Sequence, residues 1–392
     1  MQKILVIKLR HHGDVLLTTA LYRALVEQLP GAQVDTLIYK ETTPLLQNNP
    51  HLHQVMCIDR KLKGFARLKA ELGLLLQVRR TRYDAVIHLT DQWSGALIAG
   101  FSKAAVRVQM QNAKRKQAAW QACFNRRIVP PQRGQLHAVE LNLLCLQAFN
   151  VNPRGVKGMP TLIPSTENLA KADEMLLEHG IDGPFVLIHP AARWPFKCWD
   201  DAKFAAVVAH LLRRGLHVVL TCSPDDIEVQ MTHDIEQLAR EHLLLTLRKP
   251  KAAVMAGNEP APISNAEPAT PQGGFGHLVN RGGQMSLPLL AALLKRCAFY
   301  VGVDSAPMHM AAALDVPQVA LFGPSWVNEW RPWSERATVI YAGDYGPLPH
   351  PDSINTDDPT RLLAAIPQEV VLGAVDRLAD GVTASRPQSG FV

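Results

Sequence analysis

Three short segments gather the residues able to do chemistry. The first, Lys8-Leu9-Arg10-His11-His12-Gly13-Asp14, runs from an apolar strand directly into a helix. It sets one carboxylate, Asp14, at the carboxyl end of a first strand, where open α/β sheets receive their ligands. Gly13 lets the backbone turn sharply there and lets a ligand come close. Asp14 can equally serve the helix alone, its carboxylate accepting from first-turn N–H groups. The second segment, Gly302-Val303-Asp304-Ser305-Ala306-Pro307-Met308-His309, ends another strand at Asp304. Ser305 suits the N-cap of the following helix and Pro307 its first turn. The N–H groups of that turn, with the helix dipole behind them, form an anion site, and His309 can face the same cleft. A well-capped helix with a core-facing histidine is the plainer alternative. The third segment, His189 to Lys197, puts Arg193 and Lys197 in a loop before a helix. Two cations opposite a helix N-terminus suit a diphosphate.

Positioning these loops requires strands and helices in alternation, and the periodicity supplies them twice. Strands are expected at Ile4 to Lys8, Val34 to Tyr39, Gln54 to Ile58 and Ala85 to Leu89, with helices at Val15 to Leu29, Leu62 to Arg79 and Val139 to Phe149. A proline-rich connection comes after Val151, and the pattern restarts. Strands are expected at 185–189, 217–220, 243–247, 299–303 and 318–322, and helices at 201–213, 227–240, 287–296 and 308–314. The expected architecture is α/β, two doubly wound parallel sheets in series facing a cleft. The expected division is a domain over 1–160, a linker over 161–184 and a second domain over 185–355. A helical segment over 356–380 is expected to pack back on the first domain. Residues 249–283 lack periodicity and read as a mobile surface insertion, and 381–392 as a disordered tail.

With 392 residues, 19% of them charged and 47% hydrophobic, the composition is that of a globular protein of two or three domains. No apolar run reaches the ~20 residues needed to span a bilayer, and a strand comes directly after Met1-Gln2-Lys3, so a cytoplasmic location is expected. Six cysteines without a Cys-x-x-Cys pair fit a reducing compartment. The charge is uneven. Residues 60–82 carry eight Lys/Arg against one acid, and 103–133 carry eight against none, while the whole chain is only +6. Such a basic first half suggests an anionic partner: nucleic acid, a phosphorylated glycan or an anionic membrane. Leu62, Phe65, Leu68, Leu72, Leu75 and Leu76 fall at helical spacing within the first run. A stripe of that kind usually packs into a core, and lipid contact is the rarer use.

The residues together resemble the ADP-heptose:lipopolysaccharide heptosyltransferases, inverting glycosyltransferases of the two-domain GT-B fold, and within them the core heptosyltransferase III type. The segments that carry this are 8–14, Thr90-Asp91-Gln92-Trp93, Phe196-Lys197-Cys198-Trp199-Asp200, 302–309 and Trp330-Arg331-Pro332-Trp333-Ser334. The resemblance implies Asp14 as general base and a donor side of Arg193, Lys197, Asp304, Ser305, Ala306, His309 and Gly323. Arg10, His11, His12, Gly13, Asp91 and Trp93 fall on the acceptor side. It implies ADP-L-glycero-D-manno-heptose as donor with no further cofactor. The implied acceptor is a phosphorylated inner-core lipopolysaccharide intermediate at the anionic cytoplasmic face of the inner membrane, and nucleic acid is not an expected partner. No Asp-x-Asp pair occurs, so no metal clamp for the diphosphate is visible. Two other readings remain at this point: a sugar-nucleotide epimerase of the same architecture, and a non-enzymatic binder of anionic glycan or nucleic acid.

Overall fold

The computed structural model of the protein describes residues 2–248 and 274–384. The first half runs β1 (Lys3–Lys8), α1 (His12–Gln28), β2 (Gln33–Tyr39), β3 (Gln54–Ile58), α2 (Gly64–Thr81) and β4 (Ala85–His88). It continues with α3 (Trp93–Ser102), β5 (Val106–Met110), α4 (Ala118–Ala122), β6 (Arg126–Ile128) and α5 (Ala138–Leu143). The second half opens with α6 (Thr166–Glu178), β7 (Phe185–His189), α7 (Asp201–Arg213), β8 (His217–Leu220), α8 (Asp226–Arg248) and β9 (Leu278–Asn280). Then come α9 (Leu287–Arg296), β10 (Phe299–Val303), α10 (Ala306–Ala313), β11 (Gln318–Phe322), α11 (Val327–Trp330), β12 (Ala337–Tyr341) and α12 (Gln368–Ala384).

The strands pair in parallel into two six-stranded sheets, β3-β2-β1-β4-β5-β6 and β12-β11-β10-β7-β8-β9. Read from its own first strand, each sheet has the same order, that of dinucleotide-binding domains. The expected GT-B architecture is the one observed. The central strands dictate it: β4, β7, β10 and β11 are buried along their whole length, which requires helices on both faces.

Five expectations are corrected. Leu243 to Leu247 is not a strand but the last turns of α8, whose Ile235, Leu238, Ala239 and Leu243 continue one apolar stripe against the core. The edge strand is instead β9, paired with β8 inside the stretch read as an insertion; residues 249–273 of that stretch lie outside the described residues. The expected linker 161–184 carries α6, whose Ala172, Met175 and Leu176 pack in the second core. The C-terminal helix does not return to the first domain. Val371, Ala374, Val375 and Ala379 of α12 pack with Phe204, Val208 and Leu211 of α7, and Asp376 pairs with His210 at 2.6 Å. Residues 381–384 extend this helix rather than a tail, and 385–392 lie outside the described residues.

The two halves meet closely. Leu16 of α1 and Leu45 join the second-domain cluster around Met308 and Ala311. Trp333 Nε1 donates to the Gly158 carbonyl at 2.6 Å, and the Thr161 N–H donates to Thr19 Oγ1 at 2.7 Å.

Candidate active site

Nearly all the singled-out residues leave the strands that flank the two points of reversed strand order. In the first sheet β1 delivers Arg10 to Asp14 and β4 delivers Asp91 to Trp93. In the second, β7 delivers Arg193 and Lys197, and β10 delivers Asp304 to His309. Gly323 comes directly after β11, where a Cβ would lie 2.5 Å from Leu363 Cδ1 and 3.4 Å from the Phe196 carbonyl, so it fits against the loop that bears Lys197.

Asp14 is the third residue of α1, and no side-chain cap closes that helix. Its carboxylate instead lies 3.5 Å from Nζ of Lys8, the last residue of β1. A lysine as buried as Lys8 needs a counter-charge, and Asp14 supplies it while staying partly open to the cleft. Gly13 is required for a different reason than the turn: a Cβ there would approach His309 Cδ2 to 2.9 Å. The glycine lets α10 seat its imidazole against the helix that carries Asp14.

His309 is buried, and burial pushes its pKa down to about 4 although the Asp304 and Asp14 carboxylates pull the other way. It is therefore a neutral imidazole at pH 7, and its buried Nδ1 has no hydrogen-bond partner among the described residues. Asp304 is buried too. Burial alone would raise its pKa, but the Lys197 ammonium 2.5 Å away and the Ser325 hydroxyl at 2.6 Å outweigh that and hold it below the usual carboxylate value. Ser305 stands at the N-cap of α10 but does not cap it; its hydroxyl turns back to the Val303 carbonyl at 3.2 Å. The first-turn N–H groups, starting at Ala306, thus receive no side-chain cap. Lys197 Nζ and the Arg193 guanidinium lie 5.4 and 5.7 Å from the Trp194 ring.

Across the cleft, burial and then the Arg193 charge lower the His11 pKa, so the two loops face each other. Burial also lowers that of His12, whose Nε2 is 3.1 Å from the Glu41 carbonyl oxygen. Glu41 pairs with Arg60. Arg10 pairs with Asp91 at 3.0 Å, and Arg115 Nε donates to the Asp91 carbonyl at 2.7 Å. Trp93 opens α3 with its ring 5.2 Å edge-on to buried Trp120, a packing contact.

Two residues of this site, Ser325 and Glu329, escaped the sequence reading, and Lys8 was read only as part of the first segment, with no role of its own. Ser325 lies beyond the end of β11 as Asp304 lies beyond the end of β10, so the strand-end rule alone points to it. Glu329, buried, spans the domains by accepting from the Gly134 N–H at 3.3 Å and Arg133 at 3.4 Å. The basic runs are partly consumed in the same way. Arg107 donates to the Cys123 and Ala104 carbonyls and Arg133 pairs with Asp352, whereas Lys114 and Lys116 have no side-chain partner among the described residues. The apolar stripe of α2 is not core: Leu74 and Val78 alone are buried. Among the described residues no cluster of His, Cys, Asp and Glu is arranged to hold a metal, and no helix is long and apolar enough to cross a membrane.

A partly open carboxylate, with two cations and a helix N-terminus that has no side-chain cap on the other domain, supplies the groups needed to deprotonate a hydroxyl and to receive a departing diphosphate. Comparison with known proteins bears on this arrangement. The family model described as glycosyltransferase family 9 (heptosyltransferase) matches residues 72–249 and 266–358. The chain is 32% identical over 377 residues to lipopolysaccharide heptosyltransferase 3 of Escherichia coli, covering 96% of this chain and 98% of that one. Among solved structures it is similar to a glycosyl transferase family 9 from Veillonella parvula DSM 2008, with TM-score 0.72, 20% identity and 97% of each chain covered. It is also similar to the E. coli ADP-heptose lps heptosyltransferase II, with TM-score 0.71, 21% identity, and 97% and 99% covered.

Proposed function

Since the chain belongs to glycosyltransferase family 9, the heptosyltransferases, we propose that it transfers heptose from ADP-L-glycero-D-manno-heptose to an inner-core heptose of lipopolysaccharide with Asp14 as general base. It is a glycosyltransferase of lipopolysaccharide core biosynthesis, and the likeness to a heptosyltransferase 3 over nearly the whole chain favours that acceptor type. This membership sets aside both the epimerase and the non-enzymatic binder.

The observation that carries the role of Asp14 is its position: a partly open carboxylate, ion-paired with Lys8, on the helix that packs against His309 near the uncapped N-terminus of α10. In this reading an acceptor hydroxyl gives its proton to Asp14 as its oxygen attacks the anomeric carbon from the face opposite ADP. That displacement inverts the anomeric configuration. Negative charge grows on the β-phosphate as the bond breaks, and Lys197, Arg193 and the Ser305 and Ala306 N–H groups offset it. Asp304 holds Lys197 in place and accepts from heptose hydroxyls, with neutral His309 and Gly323 lining the same side. Arg10, His11, His12, Gly13 and Asp91 form the acceptor side, and the protein works as a peripheral enzyme on the anionic cytoplasmic face of the inner membrane.

Lys197→Ala is expected to weaken ADP binding by about 1.5–3 kcal/mol if the charge-assisted contact to phosphate is direct. Calorimetry with ADP measures this, with a thermal melt to confirm that the buried Asp304 charge, left without its lysine, has not unfolded the variant. An unchanged affinity returns Lys197 to a purely structural partner of Asp304.

Salt separates the two substrates. The acceptor KM should rise with ionic strength while the donor KM stays nearly flat, because the acceptor meets solvent-exposed cations and the donor an enclosed pocket. Lys114→Gln with Lys116→Gln should raise acceptor KM and flatten its salt response. Arg115 is left intact because it binds the Asp91 carbonyl and stacks 5.2 Å from Trp120. Parallel salt responses for both substrates refute the assignment.

A further inference from the structure

The amino-terminal half of α2 stands away from the body of the protein. From Gly64 to Gly73 no residue is buried, and the helix is anchored to the core further on, by buried Leu74 and Val78 and partly buried Leu75. Phe65, Leu68, Leu72 and Leu76 are 80, 62, 55 and 42% exposed. Their spacing of three and four residues aligns them on one helical face. The patch continues onto the packed neighbour α3 through Leu97 and Phe101, 55 and 52% exposed. Arg79 joins the two helices by donating to the Phe101 carbonyl at 3.3 Å, its guanidinium 5.5 Å from that ring. Six large apolar side chains exposed together are far from the scattered singles usual on a monomer.

The rim of this patch is cationic. Lys63 and Lys69 have no side-chain partner among the described residues, Lys61 stands beside Asp59, which itself pairs with Lys40, and the one acid of the helix, Glu71, is paired with Arg67. A second copy docking face to face would set these cations against their own images. The helix also starts four residues beyond Arg60, which pairs with Glu41, the residue whose carbonyl oxygen lies beside His12. The patch therefore adjoins the acceptor side of the site.

We infer that this α2–α3 face enters the headgroup region of an anionic bilayer, apolar stripe down and lysines at the phosphates. The inference rests on the peripheral-membrane reading above and names the surface responsible. Helices of this character lie flat with the apolar side about 5–10 Å deep, a geometry that holds the neighbouring cleft at the membrane surface.

Sedimentation of the full chain with phosphatidylcholine vesicles, with and without phosphatidylglycerol, tests it. The unmodified protein should co-sediment with the anionic vesicles and only weakly with the neutral ones. Phe65→Ser, Leu68→Ser and Leu72→Ser combined should lower partitioning at least about tenfold at low and high salt alike, since removing apolar contact is not a screening effect. Lys61→Gln, Lys63→Gln and Lys69→Gln combined should lower it at low salt and match the unmodified protein at high salt. Turnover of a water-soluble truncated acceptor should survive the apolar triple change, and an unaltered melting temperature should accompany it. Undiminished vesicle binding by that variant overturns the α2 assignment while leaving membrane association standing. Absence of binding by the unmodified protein overturns both. A dimer by sedimentation velocity that the apolar change converts to monomer assigns the face to a second copy instead.

Discussion

Asp14→Asn is expected to lower kcat by at least ~10²-fold while ADP affinity changes little, the size of effect usual for removing a positioned general base. The exchange keeps the shape and removes the proton acceptor. In the proposed reading the donor sits on the other domain, at the paired Lys197 and Asp304, so calorimetry with ADP should barely register the change. Lys8 loses its counter-charge at 3.5 Å, and some stability will go with it. A melting curve separates that loss from the loss of turnover, because a folded variant that binds ADP normally and fails to transfer heptose has lost chemistry alone. Turnover near that of the unmodified protein would remove Asp14 from the reaction and leave it as the partner of Lys8.

Stability is expected to collapse as pH falls from about 6.5 toward 4, through four buried histidines. Burial pushes His88 and His137 down to about 3, and His189 and His309 to about 4. The unfolded imidazoles titrate near 6.5, so between that value and 4 the unfolded chain takes up protons that the folded protein refuses. Above 6.5 both states are neutral and the groups add no pH dependence. Below it each contributes a slope of up to about 1.4 kcal/mol per pH unit, the four together up to roughly 5.5 kcal/mol per unit against a typical total of about 5–15. His137 shows why protonation is refused. Its Nδ1 accepts from the Val139 N–H as the cap of α5, and its Nε2 is 2.8 Å from the Arg331 carbonyl, which fits the neutral Nε2–H form. A second proton would destroy the cap. Urea midpoints should be level from pH 8 to 7 and fall steeply below 6, with His137→Gln making the slope shallower. A midpoint that stays level down to pH 5 contradicts this.

Much of the site was legible because loops at strand ends carry both the chemistry and the turn residues that mark them. The apolar runs of β1, β7 and β10 stop at Lys8, His189 and Val303, and the segment after each brings in charged residues: Arg10 and Asp14, Arg193 and Lys197, and Asp304. Elements without such contrast were hidden. The edge strand β6 and its neighbour β5 carry Arg107, Gln109, Arg126 and Arg127, which disguised them as a basic run. The Leu243 to Leu247 run has the composition of a strand and the context of a helix, and periodicity over five residues cannot choose between them. Tertiary partners were not readable at all. The α12 stripe says that the helix packs, but only the matching α7 surface and the His210–Asp376 pair decide on which domain. The α2 stripe illustrates the reverse: sequence gives amphipathicity, and exposure alone tells what the apolar side faces.

The seating of Leu16 and Leu45 in the second-domain cluster, with Gly13 against His309, bears on the engineering of hybrid transferases. If residues 1–160 carry the acceptor side as proposed, they are still not a cassette that can be exchanged to change acceptor while keeping the other half. A graft from another family member brings its own α1 and its own answer to the space beside His309. A residue larger than glycine at position 13 would push on an imidazole that belongs to the donor side. Recombination that respects this seam has to move α1 together with α10, or redesign both sides of their contact. Acceptor choice and donor handling are in that sense inherited as one unit.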